Sequence, residues 1–136
     1  MIKPKEKILN TKQTILIVSP PGDLQIGLQA LLTTHLDVDV LVVGEADFAS
    51  KVIERYNPAL VILDQDTPGE MVPTLIKNIK PNWPQTRCLV LANDDDGRQA
   101  LLDIGAESVV IKGLPGVKLI AEIQRLLRSK GNKPKE

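Results

Sequence analysis

Five short runs of apolar residues recur along the chain, and each is followed by a segment whose apolar positions repeat with helical spacing. The runs are nearly continuous in valine, isoleucine and leucine, without the alternation of polar and apolar residues that a half-exposed strand shows. Strands of this kind are buried on both faces. The pattern therefore predicts a mainly parallel sheet with strands at residues 14–18, 38–44, 59–63, 87–92 and 108–112.

The segments between these runs are amphipathic and predict helices at residues 24–34, 46–56, 72–80, 96–104 and 116–128. Each has one apolar face that suits packing on a sheet, and these faces include Tyr56 in the second helix and Ala100 in the fourth. Alternating strands and helices with right-handed crossovers predict an α/β fold. We expect a (βα)5, flavodoxin-like, doubly wound five-stranded parallel sheet with helices on both faces.

Composition narrows the range of functions. The chain has 136 residues, only 2% aromatic content, one cysteine (Cys88) and one histidine (His35). These numbers exclude an internal disulfide and any metal site built on several cysteines or histidines. No apolar run approaches the roughly 20 residues that span a bilayer, so we expect a cytoplasmic protein with no membrane partner.

Charge divides the chain into three parts. Residues 1–13 hold four lysines and one glutamate and form a basic N-terminal extension. Residues 14–128 form the predicted folded domain, and residues 129–136 form a basic C-terminal tail. The scarcity of aromatic side chains argues against base stacking, so we expect no direct nucleic-acid binding by the folded domain.

Chemically useful side chains follow the predicted strands, where an open doubly wound sheet binds its ligands. Ser19 and Pro20 follow the first strand, Asp64 and Asp66 the third, and Lys112 ends the fifth. An aspartate and a lysine at neighbouring strand ends predict a charge-paired polar centre. The sequence has no glycine-rich phosphate loop and no nucleophilic-serine elbow, which argues against dinucleotide binding, a P-loop and a hydrolase.

The order of these segments resembles the receiver domain of bacterial two-component response regulators. "ILIVSPPGDLQIGLQALL" is similar to that family's first strand and helix, and "NPALVILDQDTPG" is similar to its phosphoacceptor segment. "PQTRCLVLAN" resembles its fourth strand, and "ALLDIGAESVVIKG" resembles its Gly-Ala stretch and the strand that ends in lysine. The likeness covers residues 14–128. It implies that Asp64 is the phosphoacceptor and that Lys112 contacts the phosphoryl oxygens.

The sequence departs from the family pattern in three respects, at four positions. Ser19 and Pro20 stand where the family has the acidic pair that holds Mg²⁺. Ala92 stands where the family has a threonine or serine that bonds the phosphoryl group, and Val109 where it has an aromatic switch residue. Because Mg²⁺ prefers carboxylate oxygens, the first departure weakens the expected metal site most.

The remaining acidic candidates for a metal ligand are Asp64, Asp66 and Asp23. Asp23 begins the first predicted helix, where an acidic residue is favoured by the helix dipole alone. We therefore expect no metal, no other cofactor, no catalytic residue and no enzymatic activity.

The sequence leaves three hypotheses open. The favoured one is a degenerate receiver, or pseudo-receiver, that signals by contact with a protein partner such as a sensor kinase or an output protein. The alternative is a working phosphorelay receiver that uses Asp64 and Mg²⁺ at a rearranged site. A small α/β enzyme or nucleotide binder on the same scaffold is the weakest. A homodimer through the fourth helix, fifth strand and fifth helix is also open, and its face includes Leu101, Leu102, Leu114 and Leu119.

Overall fold

A computed structural model of the protein describes residues 12–68 and 71–128. Except for Lys12 and Gln13, the predicted basic extension lies outside the described residues, and so does the whole of the predicted basic tail.

Strands and helices alternate along the described chain. The strands are β1 (Gln13–Val18), β2 (Val38–Val43), β3 (Leu60–Asp64), β4 (Arg87–Ala92) and β5 (Ser108–Ile111). The helices are α1 (Asp23–His35), α2 (Ala49–Tyr56), α3 (Met71–Asn82), α4 (Arg98–Asp103) and α5 (Gly116–Arg128), and a short 3₁₀ helix at Ala46–Phe48 leads into α2. All five predicted strands and all five predicted helices are present, and their ends agree within two residues except at the start of α2. That helix begins three residues later than predicted, because Ala46–Phe48 forms the 3₁₀ helix.

The five strands form one parallel sheet in the order β2-β1-β3-β4-β5. The register pairs Leu16 with Leu41 on one side and with Val61 on the other. The change in strand order beside β1 places helices on both faces of the sheet. The predicted doubly wound α/β fold is therefore confirmed.

Two aliphatic cores lie on opposite faces of the sheet. On one face, alternate strand residues pack with α2, α3 and α4, which contribute Ala49, Ile53, Val72, Leu75, Ile76, Ile79 and Leu101. On the other face, the intervening residues pack with α1 and α5, which contribute Leu28, Leu32, Leu119, Ile120, Ile123 and Leu126. Successive strand side chains alternate between faces, so apolar residues at every position are needed.

The sequence predictions for three helices were wrong in detail. Tyr56 is 49% exposed and Ala100 is also exposed, so neither belongs to the core face of its helix. Helix α3 ends at Asn82, two residues past its predicted end, and includes Pro81 in its last turn. A proline at this position removes only one backbone hydrogen bond, so the helix continues past it. The Trp83 amide still donates to the Ile79 carbonyl at 2.7 Å and completes that turn.

Within the described residues, no helix is long and apolar enough to span a membrane.

The central strand should carry much of the stability. Ile62 in β3 is fully buried, so the substitution Ile62→Ala should lower the free energy of unfolding by about 2–5 kcal/mol through lost burial and a residual cavity. Val117→Ala is the control, since Val117 is 73% exposed, and it should change that free energy by less than about 0.5 kcal/mol. Urea denaturation measures both. Equal stability of the two variants would contradict the assignment of Ile62 to the core.

Candidate functional site

The carboxyl ends of β1, β3, β4 and β5 meet along one edge of the sheet, because these strands are parallel and adjacent in that order. This edge brings together Ser19 after β1, Asp64 at the end of β3, Ala92 at the end of β4 and Lys112 after β5. Ser19 and Asp64 are buried, at 1% and 3% exposure. The structure therefore places the predicted site residues at one location.

The turn after β1 fixes the position of Ser19. The Ser19 amide donates to the Val43 carbonyl at 3.0 Å, which extends the β1–β2 pairing by one residue. The side-chain amide of Gln25 donates to the Ser19 carbonyl at 2.7 Å from the first turn of α1. Gly22 then starts α1 at φ 152°, a backbone conformation that a residue with a β-carbon rarely adopts. Pro20 and Gly22 thus hold a structural turn around the serine.

Three donors surround the Asp64 carboxylate. The Ser19 hydroxyl donates to Oδ2 at 2.9 Å. The Lys112 ammonium lies 2.7 Å from Oδ1, and the backbone amide of Asp66 donates to the same oxygen at 2.8 Å. Both carboxylate oxygens therefore already have partners from the protein itself, as a buried charge requires.

Lys112 reaches Asp64 across an intervening strand. The sequence analysis treated their strand ends as neighbours, but β4 lies between β3 and β5, so that detail was wrong. Ala92 ends β4 at this point, and its carbonyl accepts a hydrogen bond from the Lys112 amide at 2.8 Å. The ammonium then contacts both Asp64 and Asp66, at 2.7 Å and 2.8 Å. Partial burial opposes charge on Lys112, but these carboxylates outweigh it and raise the pKa of Lys112.

Asp66 and Asn93 tie two loops together. Asp66 accepts hydrogen bonds from Lys112 and from the Asn93 side-chain amide, at 2.8 Å and 2.9 Å. Chiefly through Lys112, and then through Asn93, these bonds lower the pKa of Asp66. The Asn93 backbone amide also donates to the Gln65 side chain at 2.8 Å. The loops after β3 and β4 are thereby held in one relative position.

Thr67 adds a second tie that the sequence analysis missed. Its hydroxyl is 3.0 Å from the Val18 carbonyl and 2.7 Å from the Asp64 carbonyl, and the residue is buried. Asn93 was missed as well. The positions of Thr67 and Asn93 in the sequence could have indicated them, because each lies within three residues after a strand end that carries a predicted site residue.

The acidic side chains do not form a donor set suited to Mg²⁺. Within residues 12–68 and 71–128, no three His, Cys, Asp or Glu side chains lie close enough together to hold a metal ion. Asp64 and Asp66 both bond to Lys112, and Asp23 is exposed at the start of α1. Mg²⁺ bound to these oxygens would replace a contact with Ser19, Lys112 or Asn93 and would gain few carboxylate ligands.

Ala92 and Val109, which the sequence analysis predicts to be degenerate switch positions, are buried and apolar. Ala92 is 1% exposed and Val109 is 4% exposed. The carbonyl of Val109 accepts a hydrogen bond from the Arg98 guanidinium at 2.8 Å, which ties β5 to the start of α4. Neither side chain carries a group that can donate to a ligand at the sheet edge.

The remaining candidates do not join this edge. His35 is exposed in the last turn of α1, and Cys88 is buried in β4, where burial raises the pKa of its thiol to about 12. On the predicted dimer face, Leu101 and Leu119 belong to the two cores, which leaves Leu102 partly buried and Leu114 exposed.

Comparison with known proteins gives a consistent family. No family model matches the chain. The chain is 31% identical over 116 residues to the transcriptional regulatory protein RstA of Escherichia coli (strain K12), and 23% identical over 122 residues to the transcriptional regulatory protein DegU of Brevibacillus brevis. The matches cover 85% and 88% of this chain but 48% and 52% of those proteins. The chain thus spans about half the length of these relatives.

Solved structures agree. The BeF3-activated N-terminal receiver domain of Klebsiella pneumoniae RstA is 30% identical, with a TM-score of 0.76, and the match covers 86% of this chain and 100% of that one. A DNA-binding response regulator of the LuxR family from Staphylococcus aureus has a TM-score of 0.77 at 21% identity, with 85% and 99% covered, and supports the fold alone.

The Lys112 bridge should be a major source of stability. The substitution Lys112→Met leaves the Asp64 carboxylate buried without its cation, so it should lower the free energy of unfolding by about 3 kcal/mol at pH 7. Because the native pKa of Lys112 is raised above 10.5, this difference should persist up to that pH and shrink only at more alkaline pH. Urea denaturation of both proteins across that range measures it.

Lys118→Met is the matched control for this comparison, because Lys118 is exposed and makes no contact that involves Asp64. It should change stability by less than about 0.5 kcal/mol. A Lys112→Met protein as stable as the control would contradict the bridge.

Asp66 should titrate below its ordinary pKa of 3.8, because the charged form accepts hydrogen bonds from Lys112 and Asn93. Its stabilising contribution is present above 3.8 and is lost as the pH falls through the lower native pKa. NMR titration of the side-chain carboxyl carbon measures this value directly. The pKa should rise toward 3.8 in Lys112→Met and rise less in Asn93→Ala. A native pKa at or above 3.8 would contradict these contacts.

Proposed function

This chain belongs to the receiver domains of bacterial two-component response regulators, and from that premise we propose that it is a degenerate receiver. In this proposal the domain signals by contact with a protein partner, and Mg²⁺-dependent phosphorylation of Asp64 plays no part. The role is non-enzymatic and cytoplasmic. The partner is a sensor kinase or an output protein of the same signalling class.

The observation that carries the proposal is that other groups of the protein already bond to the Asp64 carboxylate. Each carboxylate oxygen of this buried residue already accepts a hydrogen bond, from Ser19 on one side and from Lys112 and the Asp66 amide on the other. A carboxylate attacks a phosphoryl donor through one of these oxygens. Attack would therefore require the protein to give up a contact that its own fold supplies.

Charge neutralisation is the second support. Phosphoryl transfer depends on cations that stabilise the charge spread over the phosphoryl oxygens. Ser19 and Pro20 supply one hydroxyl and no carboxylate where the family holds Mg²⁺, and that hydroxyl is engaged with Asp64. Lys112 is the one positive side chain bonded to Asp64 among the described residues, and it also neutralises Asp66. Among the residues that the structure describes, no group of three acidic, histidine or cysteine side chains offers this cation a site.

The third support is that the side chains at the two predicted switch positions cannot respond to a phosphoryl group. Ala92 has no hydroxyl to follow a phosphoryl group, and Val109 is a small side chain buried in the core. The Asp66–Asn93 hydrogen bond and the bonds from the Thr67 hydroxyl to the Val18 and Asp64 carbonyls also hold the loops of this edge without a ligand. We infer that the domain keeps one conformation, in which it is recognised.

The output belongs to this proposal too. The relatives are named transcriptional regulatory proteins and are about twice as long as the matched region. We propose that this domain acts on a transcription regulator, either covalently joined to it or as a separate chain.

A working phosphoacceptor stays the alternative, and one observation favours it. The Lys112 ammonium lies 2.7 Å from Asp64, which is the pairing that the receiver family uses in phosphoryl transfer. In this alternative Asp23 and Asp66 would take part in a rearranged Mg²⁺ site.

Beryllofluoride and acetyl phosphate separate the two functions. With Mg²⁺ present, we expect neither a bound beryllofluoride signal in ¹⁹F NMR nor a phosphorylated species in intact-protein mass spectrometry, because no metal is held beside Asp64. The Klebsiella pneumoniae RstA receiver domain is the positive control, since it is BeF3-activated.

The matched variant is Asp64→Asn, which removes the acceptor oxygen and keeps the size of the side chain. A stoichiometric adduct on the wild type that disappears in Asp64→Asn would overturn the proposal and establish the alternative. The absence of an adduct on both the wild type and Asp64→Asn supports the degenerate function.

A further inference from the structure

The three aromatic side chains of this protein all lie outside the fully buried core. Phe48 is 56% exposed, Tyr56 is 49% exposed and Trp83 is partly buried. They are the only phenylalanine, tyrosine and tryptophan in the chain. Aromatic side chains bury more apolar area than other residues. Trp83 packs partly against one core, but Phe48 and Tyr56 keep about half of their surface exposed. Such residues are enriched where proteins bind one another.

Helix α2 gathers these residues on one surface. Phe48, Lys51 and Arg55 follow the spacing i, i+3 and i+7, which places them along the side of α2 opposite the buried Ala49 and Ile53. Arg55 extends this line to the last aromatic residue, because its guanidinium lies 5.6 Å from the centre of the Tyr56 ring. Phe48 and the two cations thus form an exposed stripe, and the Tyr56 ring contacts the Arg55 end of it.

Trp83 forms the far wall of a groove beside this stripe. The groove has a volume of about 540 Å³ and is lined by Ser50, Lys51, Glu54, Arg55 and Trp83. The indole N–H donates to the Glu54 carboxylate at 3.0 Å and holds the ring against α2. The indole is therefore fixed before any partner arrives, which lowers the entropic cost of binding.

The charges of the groove identify the kind of partner. Glu54 is the one acidic residue in its lining, and it is engaged by Trp83. Lys51 makes no hydrogen bond or ion pair with any residue in the described ranges, and Arg55 contacts only the Tyr56 ring there. Two cations without carboxylate partners beside an aromatic wall complement a segment that carries acidic groups next to an apolar side chain.

We propose that the α2 surface, formed by Phe48, Lys51, Arg55, Tyr56 and Trp83, binds an acidic amphipathic helix of a partner protein. The helix places a leucine-type side chain in the groove against Trp83. Its acidic residues pair with Lys51 and Arg55. The groove is lined by four residues of α2 and by Trp83, and a helix bound there presents an apolar stripe at i, i+3, i+4 and i+7 with acidic side chains beside it.

This inference deepens the contact-based function proposed above and rests on it. The test uses the full chain without Mg²⁺ or a phosphoryl donor. The probe is a synthetic amphipathic helix of about four turns, with leucine on one face and glutamate on its flanks. Trp83, the only tryptophan, reports occupation of the groove by its fluorescence. We expect a saturable change in emission with the acidic peptide and none with a peptide that has lysine in place of each glutamate.

Three variants locate the site. Lys51→Glu combined with Arg55→Glu should weaken binding by about tenfold or more, because it replaces attraction by repulsion. Phe48→Ser combined with Tyr56→Ser should weaken it as well while keeping the charges. Lys118→Glu, on α5, is the charge-matched control and should leave the affinity unchanged. All these positions are exposed, so circular dichroism should show the native fold.

No saturable change with the acidic peptide would overturn this inference, and so would equal affinity for the lysine peptide or for the Lys51→Glu, Arg55→Glu variant. A concentration-dependent emission change of the protein alone would instead assign the groove to a second copy. Each result is independent of beryllofluoride binding. An Asp64 adduct together with peptide binding would overturn only the degenerate function. The lack of an adduct together with the lack of peptide binding would overturn only this inference.

Discussion

The interaction on which the site depends is the ion pair between a buried carboxylate, Asp64, and Lys112. A buried charge is costly unless it is paired and hydrogen-bonded, and the sheet edge meets this requirement with Lys112, the Ser19 hydroxyl and the Asp66 amide. In this family a metal ion shares that task. Here the protein's own groups pair both oxygens of Asp64, and we propose that this residue serves as a structural anchor for the loops of the edge.

Under the proposed degenerate function, the stability of this edge and its lack of phosphorylation have one physical origin. A site ready to receive a phosphoryl group must hold a reactive oxygen and several like charges close together, which costs stability. Exchange of acidic residues for Ser19 and Pro20 removes that repulsion, and the hydroxyl adds a contact at 2.9 Å. The Asp66–Asn93 tie then fixes neighbouring loops. In the proposed degenerate receiver, these contacts hold the edge in one structure at the place where a phosphoryl group would otherwise bind.

The sequence predicted the sheet and the site position well because buried parallel strands leave a strong apolar signal and end at one edge. It placed Asp64 and Lys112 there, but it gave no strand order and so treated their strands as neighbours. Tyr56 was misassigned because helical spacing near a helix end does not say which face is covered. Asn93 and Thr67 were missed because side-chain ties between loops depend on tertiary contact. The α2 surface could not be predicted from the sequence either, because the exposure of its side chains also depends on tertiary contact.

A magnesium titration followed by ¹H–¹⁵N NMR tests the central claim most directly. The amides of Gln65 and Asp66 flank the Asp64 carboxylate and would respond to a metal ion bound there. The account predicts no saturable shift of these signals at millimolar Mg²⁺, beyond the small uniform change that ionic strength causes. A saturable shift centred on residues 64–66, absent from Asp64→Asn, would contradict it.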